Sequence, residues 1–381
     1  MGRRISTEAL ESHVRGKRIA ASLSQADLAQ RAGLTRQAVS AIEAGQYVPN
    51  TAVALRLART LGCPVEDLFT LPGRPQRIDA EVLGTLPATS PGRVQLSRVG
   101  SRMLARPLMG NSGAITTADG ILAQSASASS GARTQVDLLV DPRVIENTAV
   151  VAGCDPSLAL IGAHLVRRYP SYRLHWIQGG SLAALRALGR GEVHAAGTHL
   201  RDPETGEENI PYVRRELSGR PLTVVTLSRW QQGLIVGAGN PKGIREVADL
   251  LRPDVVIANR EPGSGGRTLL DARLAAAGGV VDTIRGYQRE LPSHMAVAEA
   301  IAAGMADVGP GIEAAARAFG LDFIPLQEER YDLVIPVEQL ETAPIQALLE
   351  VASTRGCRDE VEALGGYDSS LVGNVVAEIS A

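Results

Sequence analysis

Residues 14–45 read VRGKRIAASLSQADLAQRAGLTRQAVSAIEAG. The apolar positions Val14, Ile19, Leu23, Leu28, Ala29, Val39 and Ile42 recur at helical spacing, and Val53, Leu55, Leu57 and Leu61 continue the pattern. Ser24 stands three residues before Asp27, a capping-box variant in which Asp replaces the usual Glu or Gln. Ala32-Gly33-Leu34 places a glycine where a left-handed helix end prefers one. Thr35 is positioned to cap a second helix, Arg36 to Ala44, which Gly45 ends. Two short helices joined by a glycine-containing turn predict a helix-turn-helix.

Charge supports a separate role for this segment. Residues 1–76 hold ten Arg and Lys against six Asp and Glu, within a 381-residue chain whose net charge is −2. A basic module on an acidic body points to a polyanionic partner for that module alone. Residues 11–70 closely resemble the helix-turn-helix of phage repressors and Cro, through the stretch quoted above and through LRLARTLGCPVEDLF (55–69). The resemblance implies that the helix opening at Thr35 enters the major groove. Arg36 and Gln37 then sit at its groove-facing start, where Arg reads guanine and Gln reads adenine, with Ser40 a turn further on. Ala41 stands where many relatives carry a longer polar side chain, so readout there is expected to be poorer. Gln25 is expected to donate to a phosphate, and Arg18 with Glu43 to form a structural ion pair. Double-stranded operator DNA, bound by a homodimer, is the implied partner.

At 381 residues the chain is long enough for two or three compact units. Hydrophobic residues at 44% and charged residues at 21% are ordinary for globular protein and exclude global disorder. Only 3% are aromatic, so the cores must be aliphatic and closely approached. No apolar run nears the ~20 residues of a membrane span. No apolar stretch follows Arg3 and Arg4, so no signal peptide and a cytoplasmic location are expected. The three cysteines, Cys63, Cys154 and Cys357, are widely spaced and read as reduced thiols rather than a disulfide frame or zinc site.

Pro, Gly and Thr dominate residues 71–92, which read as linker. Val94–Val99 and Arg102–Leu108 alternate around Gly100-Ser101, the pattern of a β-hairpin. Ala118–Leu122 and Thr134–Val140 continue it around a Ser/Ala/Gly loop, Gln124 to Gly131. The stretch ADGILAQSASASSGARTQVDLLV (118–140) looks like the small carboxy-terminal β-domain of molybdopterin molybdotransferases. That resemblance implies a link to molybdenum metabolism.

From Asn147 onward, short apolar strands alternate with glycine-bearing turns and helices, which predicts parallel sheets flanked by helices. In such sheets ligands sit where strand ends lead into helix starts. Three turns share that chemistry: Asp155-Pro156-Ser157, Gly179-Gly180-Ser181 and Gly263-Ser264-Gly265-Gly266. Free N–H groups and the positive ends of helix dipoles there favour an anion. Arg260 and Arg267 flank the third turn and add charged donors. His164, His194, His199 and His294 read as hydrogen-bonded histidines rather than ligand sensors, and no pair has metal-ligand spacing. No G-x-S-x-G elbow is present.

Residues 143–381 resemble the periplasmic-binding-protein-like substrate-binding domain, closest to its molybdate/tungstate branch, through GCDPSL, QGGSLAALRALGRGEVHAAGTHL, ANREPGSGGRTLLD and EERYDLVIP. The resemblance implies a two-lobed α/β type II fold. It implies an oxyanion site of Ser157, Gly180, Ser181, Thr198, Arg260, Ser264, Gly265, Arg267 and Tyr331. The expectation is therefore a multidomain chain: a helix-turn-helix over 8–72, a linker and small β connector over 73–142, and a two-lobed ligand-sensing domain over 143–381. It is expected to be a one-component transcriptional regulator and not an enzyme, with no cofactor and no metal. A regulator of a different metabolite is the alternative, and a molybdopterin-processing enzyme a more distant one.

Overall fold

The computed structural model describes residues 10–70, 76–85, 92–123, 130–202 and 205–380. Half of the expected linker, residues 71–75 and 86–91, and most of the Gln124–Gly131 loop lie outside them, and residues 77–82, expected as linker, are strand because they pair into a barrel. The chain divides into two compact units between Arg77 and Ile78.

In the first unit β1 (Glu11–Ser12) leads into α1 (Val14–Ala20), α2 (Gln25–Ala32), α3 (Arg36–Glu43) and α4 (Thr51–Leu61), and β2 (Phe69–Thr70) pairs back on β1. The capping box forms as read: the Ser24 hydroxyl accepts from Asp27 N at 3.1 Å, and Ser24 N donates to the Asp27 carboxylate at 2.9 Å. Gly33 turns at φ 65°, and Thr35 accepts from Ala38 N at 3.1 Å. Leu28, Val39, Ile42 and Leu57 form the core with Val14 and Leu68.

The second unit opens with five strands that close into a barrel rather than a simple meander: β3 (Arg77–Val82), β4 (Arg93–Val99), β5 (Arg102–Pro107), β6 (Gly120–Leu122) and β7 (Arg133–Leu138), in the order β3-β5-β4-β6-β7. The short helix α5 (Gly110–Ile115) lies between β5 and β6, and α6 (Pro142–Glu146) leaves the barrel. The expected hairpin is β4–β5, paired from Val99↔Arg102 outward.

The remainder has two lobes. The first lobe builds β8 (Thr148–Gly153), α7 (Ser157–Arg168), β9 (Arg173–Gln178), α8 (Ser181–Gly189), β10 (Ala195–Thr198) and α9 (Ile210–Glu216). A fifteen-residue strand, β11 (Leu222–Val236), carries the chain into the second lobe. There follow β12 (Asn259–Arg260), α10 (Gly265–Ala276), β13 (Glu290–Leu291), α11 (His294–Ala302), β14 (Val308–Ile312) and α12 (Glu313–Ala318). An equally long β15 (Asp322–Pro336) returns to α13 (Val337–Leu340), α14 (Ala343–Ser353), α15 (Arg355–Ala363), β16 (Tyr367–Asp368) and β17 (Val375–Ile379).

Strands β8, β9 and β10 pair in parallel, as expected. The two long strands do not: β11 and β15 run antiparallel to each other through both lobes, with register breaks at Thr226/Ser228 and Gln232/Gly233. The sequence pattern suggested two separate strands, Leu222–Leu227 and Leu234–Val236. The polar residues between them, Ser228 to Gln232, are instead strand where the chain crosses between lobes. A bulge on each side re-aims side chains without ending the pairing. One hydrophobic core runs across the crossing, joining Ala149, Val151 and Leu158 to Ala258, Val297 and Ile301.

Buried polar contacts fix the barrel to the first lobe. Asp119 accepts from Arg173 Nη1 at 2.5 Å, from Arg173 Nη2 at 2.8 Å and from Leu96 N at 2.7 Å. His194 Nδ1 accepts from Val150 N at 3.0 Å, which leaves Nε2 to donate to the Arg98 carbonyl at 2.9 Å. Among the described residues no helix is long and apolar enough to cross a membrane.

Candidate functional site

On the amino-terminal unit, Thr35, Arg36, Gln37 and Ser40 are all exposed along one end of α3. Behind them the polar groups are satisfied. Arg18 grips Glu43 with Nε at 2.6 Å and Nη2 at 3.1 Å, and Nη1 reaches the Leu23 carbonyl at 2.8 Å. Gln25, expected at a phosphate, donates to Glu43 at 2.9 Å, because α2 packs its first turn against α3. Burial disfavours the Glu43 carboxylate, but hydrogen bonds from Arg18 and Gln25 outweigh it and hold its pKa below the ordinary range.

The closed junction between the lobes presents the opposite situation. Trp230 and Gln232 from β11, Tyr331 from β15, His199 after β10, Arg260 from β12 and His294 at the start of α11 are all buried together. The ring centroids of His199 and Trp230 lie 4.8 Å apart, those of Trp230 and Tyr331 4.9 Å, and those of His199 and His294 5.8 Å. Trp230 Nε1, Arg260 Nη1, both nitrogens of His294 and the Gln232 amide have no hydrogen-bond partner among the described residues, while His199 Nε2 faces Cys154 and the Tyr331 hydroxyl faces the Cys154 and Asp155 amides with no acceptor for its own proton. Buried polar groups are nearly always paired, because an unpaired one costs roughly 1–3 kcal/mol. Here such a set is concentrated at the junction of two lobes.

The electrostatics favour donation. His199 Nδ1 is paired with the Glu329 carboxylate at 2.7 Å. Burial opposes its protonation, but Cys154 and Glu329 outweigh burial and raise its pKa to about 10. Burial, followed by the charges of Arg260 and His199, pushes His294 well below its ordinary value, so it stays neutral. Asp155, beside Cys154, accepts from Tyr367 Oη at 2.6 Å and Ser157 N at 2.8 Å. Burial raises the Asp155 pKa despite those bonds.

The residues expected to hold the ligand divide. Arg260 is fully buried; Nε and Nη2 each sit 2.8 Å from the Glu261 carboxylate, and Nη1 is left over. Tyr331 is fully buried with no acceptor for its hydroxyl proton, and an added Cβ at Gly153 or Gly197 would collide with that hydroxyl. Gly265 permits the His199 ring to lie against the start of α10. Gly180 permits a close approach of the lobes: a Cβ there would meet Ser264 Cα at 3.2 Å. Ser181 accepts from His199 N at 3.2 Å, and Ser264 caps α10 by accepting from Arg267 N while donating to the Glu261 carbonyl. Two of the three turns thus pack against each other, with Leu182 N donating to the Gly263 carbonyl at 3.3 Å. Thr198 spends its hydroxyl on Asn209 at 3.4 Å. Arg267 is drawn away by Asp271, by the Arg260 carbonyl and by the Tyr287 ring, 4.0 Å below its guanidinium. Ser157 lines a small void with Leu227, Arg358 and Ser369.

Trp230, Gln232 and His294 were not among the expected ligand residues. Their signal was faint: a polar break inside an apolar strand, and a histidine just after a Ser cap. His164, paired with Glu360, His194 and His199, paired with Glu329, are hydrogen-bonded as expected; His294 is not. Although no metal spacing is readable, Cys154, His199 and His294 place one ligand atom each within 4.8 Å of one another.

The class defined by this geometry is a helix-turn-helix followed by a two-lobed α/β binding domain. A PBP superfamily domain matches residues 162–353, and a helix-turn-helix matches 14–68. The chain is 36% identical over 231 residues to the uncharacterized protein YvgK of Bacillus subtilis (strain 168), covering 60% of this chain and 73% of that one. It is 44% identical over 59 residues to an uncharacterized HTH-type transcriptional regulator of Methanothermobacter thermautotrophicus, 15% of this chain and 86% of that one. Among solved structures it is similar to a phosphate-bound substrate-binding protein of Clostridium perfringens, with TM-score 0.46 and 13% identity over 58% of this chain and 99% of that one. The chain belongs to the PBP superfamily, with a helix-turn-helix unit at its amino-terminal end.

Proposed function

We propose that this chain is a cytoplasmic one-component transcriptional regulator, acting as a homodimer on two-fold operator DNA. Its cleft senses a small oxyanion. The observation that carries the reading is the convergence of unpaired donors, Arg260 Nη1, Trp230 Nε1, Tyr331 Oη and the His294 ring, in one buried place. Arg, Trp and Tyr offer N–H or O–H groups that suit oxygen acceptors. Molybdate and tungstate are the first candidates, supported by the likeness of residues 118–140 to molybdotransferase β-domains and of 143–381 to the molybdate/tungstate branch. Binding in the cleft alters operator affinity by a coupling of about 1–3 kcal/mol.

Calorimetry on the full chain with molybdate, tungstate, sulfate and phosphate tests the ligand class. Heat from at least one, lost in Arg260→Ala, is expected. No heat from any, alongside a response to an uncharged metabolite, sinks it. Mobility shifts on the chain's own promoter, with and without the anion that binds, test the DNA half.

A further inference from the structure

We infer that the cleft is also a site for a borderline transition-metal cation, Zn²⁺ foremost, held by Cys154 and His199 from the first lobe and His294 from the second, with the oxyanion taking the remaining position. Three features support it. One ligand atom from each of the three residues lies within 4.8 Å of the others. Tetrahedral zinc bond lengths set such atoms roughly 3.5 Å apart, a small further closure. His294 is fully buried with neither ring nitrogen partnered among the described residues, and the buried His199 faces Cys154 with its other nitrogen held by Glu329. An uncharged imidazole with nothing to bond is costly in a core unless something else bonds it.

The third feature is the partner of His199. Its Nδ1 is held by Glu329 at 2.7 Å, which leaves Nε2 as the ligand atom. A carboxylate behind a histidine is the arrangement that orients imidazoles toward metals. A thiolate with two imidazoles selects zinc-like cations over calcium or magnesium. The charges also balance, because the Cys154 thiolate and the Glu329 carboxylate offset a divalent cation, and the Arg260 guanidinium is already offset by Glu261. Binding displaces one proton from the Cys154 thiol and one from His199 Nε2 where that ring is protonated.

The three ligands bridge the lobes, so the cation acts as a clasp. Three protein ligands leave a fourth position, as in metal sites that accept an exogenous ligand. Arg260 Nη1, Trp230 Nε1 and Tyr331 Oη belong to the same buried cluster and suit an anion in that position. This part rests on the oxyanion reading; the clasp does not.

The test uses the full-length chain stripped with chelator, then titrated with Co²⁺ and back-titrated with Zn²⁺. One equivalent of Co²⁺ is expected to produce a thiolate-to-cobalt charge-transfer band and the visible bands of tetrahedral cobalt, both erased by Zn²⁺. Cys154→Ser should remove the charge-transfer band and weaken Zn²⁺ at least 100-fold, and His294→Gln should weaken it comparably. Glu329→Gln, a positioning change, should keep the band but weaken binding by roughly 10–100-fold. Absence of the band in the unaltered protein overturns the clasp without any variant. So does Zn²⁺ affinity unmoved by Cys154→Ser or His294→Gln. Molybdate titrations with and without Zn²⁺ separate the two claims. Equal anion binding in both sinks the coordination role and leaves the oxyanion reading standing. Zn²⁺ binding with no response to any oxyanion leaves the clasp and sinks the oxyanion reading.

Discussion

The amino-terminal unit and the cleft handle buried polar groups in opposite ways. In the first, Glu43 is almost wholly covered, and Arg18 and Gln25 account for both its oxygens. In the second, Trp230, Arg260 and His294 carry polar atoms that no described protein group meets. A satisfied network rigidifies a surface, here the exposed end of α3 that we propose meets DNA. An unsatisfied one holds affinity in reserve for a guest. One region is complete as folded; the other is completed on binding.

That contrast can be broken by removing a partner on the satisfied side. Arg18→Ala strands the Glu43 carboxylate, which is 4% exposed. The expected loss is about 3–5 kcal/mol of stability for the helix-turn-helix unit, measured by denaturant unfolding. A loss under about 1 kcal/mol would mean the pair contributes little. On the other side, Arg260→Ala should weaken oxyanion binding by roughly 10- to 100-fold, while ligand-free affinity for operator stays unchanged. Arg36→Ala should cost about 1–3 kcal/mol of specific DNA binding and relax preference at one base position, read by competition shifts.

Tyr331→Phe sharpens the comparison most directly. The hydroxyl is buried with no acceptor for its proton but faces the Cys154 and Asp155 amides, so its removal should change the stability of the ligand-free protein by no more than about 1 kcal/mol while lowering anion affinity. If stability falls further than that, the hydroxyl proton has a partner in solution and the contrast weakens.

The last prediction concerns acid. His175 and His194, at the seam between barrel and first lobe, are buried and depressed to about 3 and about 4. Burial is the main cause in both, joined for His175 by the charge of Arg173. Both remain neutral in the fold, whereas the unfolded chain takes up protons near pH 6.5. Their contribution is therefore complete above that pH and declines as pH falls from about 6.5 toward 4. His194→Gln should flatten that part of the melting-temperature profile, and an unchanged slope would assign acid sensitivity elsewhere.

Local chemistry was enough to read the helix-turn-helix. The Ser24 cap, the Gly33 turn, the Thr35 cap and the Arg18–Glu43 pair all follow from spacing or from resemblance within about 30 residues of chain. Gln25, expected at a phosphate, also has a partner eighteen residues away in Glu43, which no local signal announces. The strand-turn-helix rhythm of the lobes was legible for the same reason, since turns and helix starts are short-range signals. The cleft was not. Ser181, Ser264 and Thr198 read as ligand contacts because capping hydroxyls resemble binding hydroxyls in sequence, and each also has a partner within the fold.

What the amino-acid order determined by itself was the set of elements and their ends, because caps, glycine turns and apolar periods act over a few residues. What only tertiary structure decided was which polar groups remain unpaired. Cys154, His199, Trp230, Arg260, His294 and Tyr331 are scattered over 178 positions. Two crossing strands and a closed pair of lobes gather them, and burial then turns ordinary side chains into groups that need a partner.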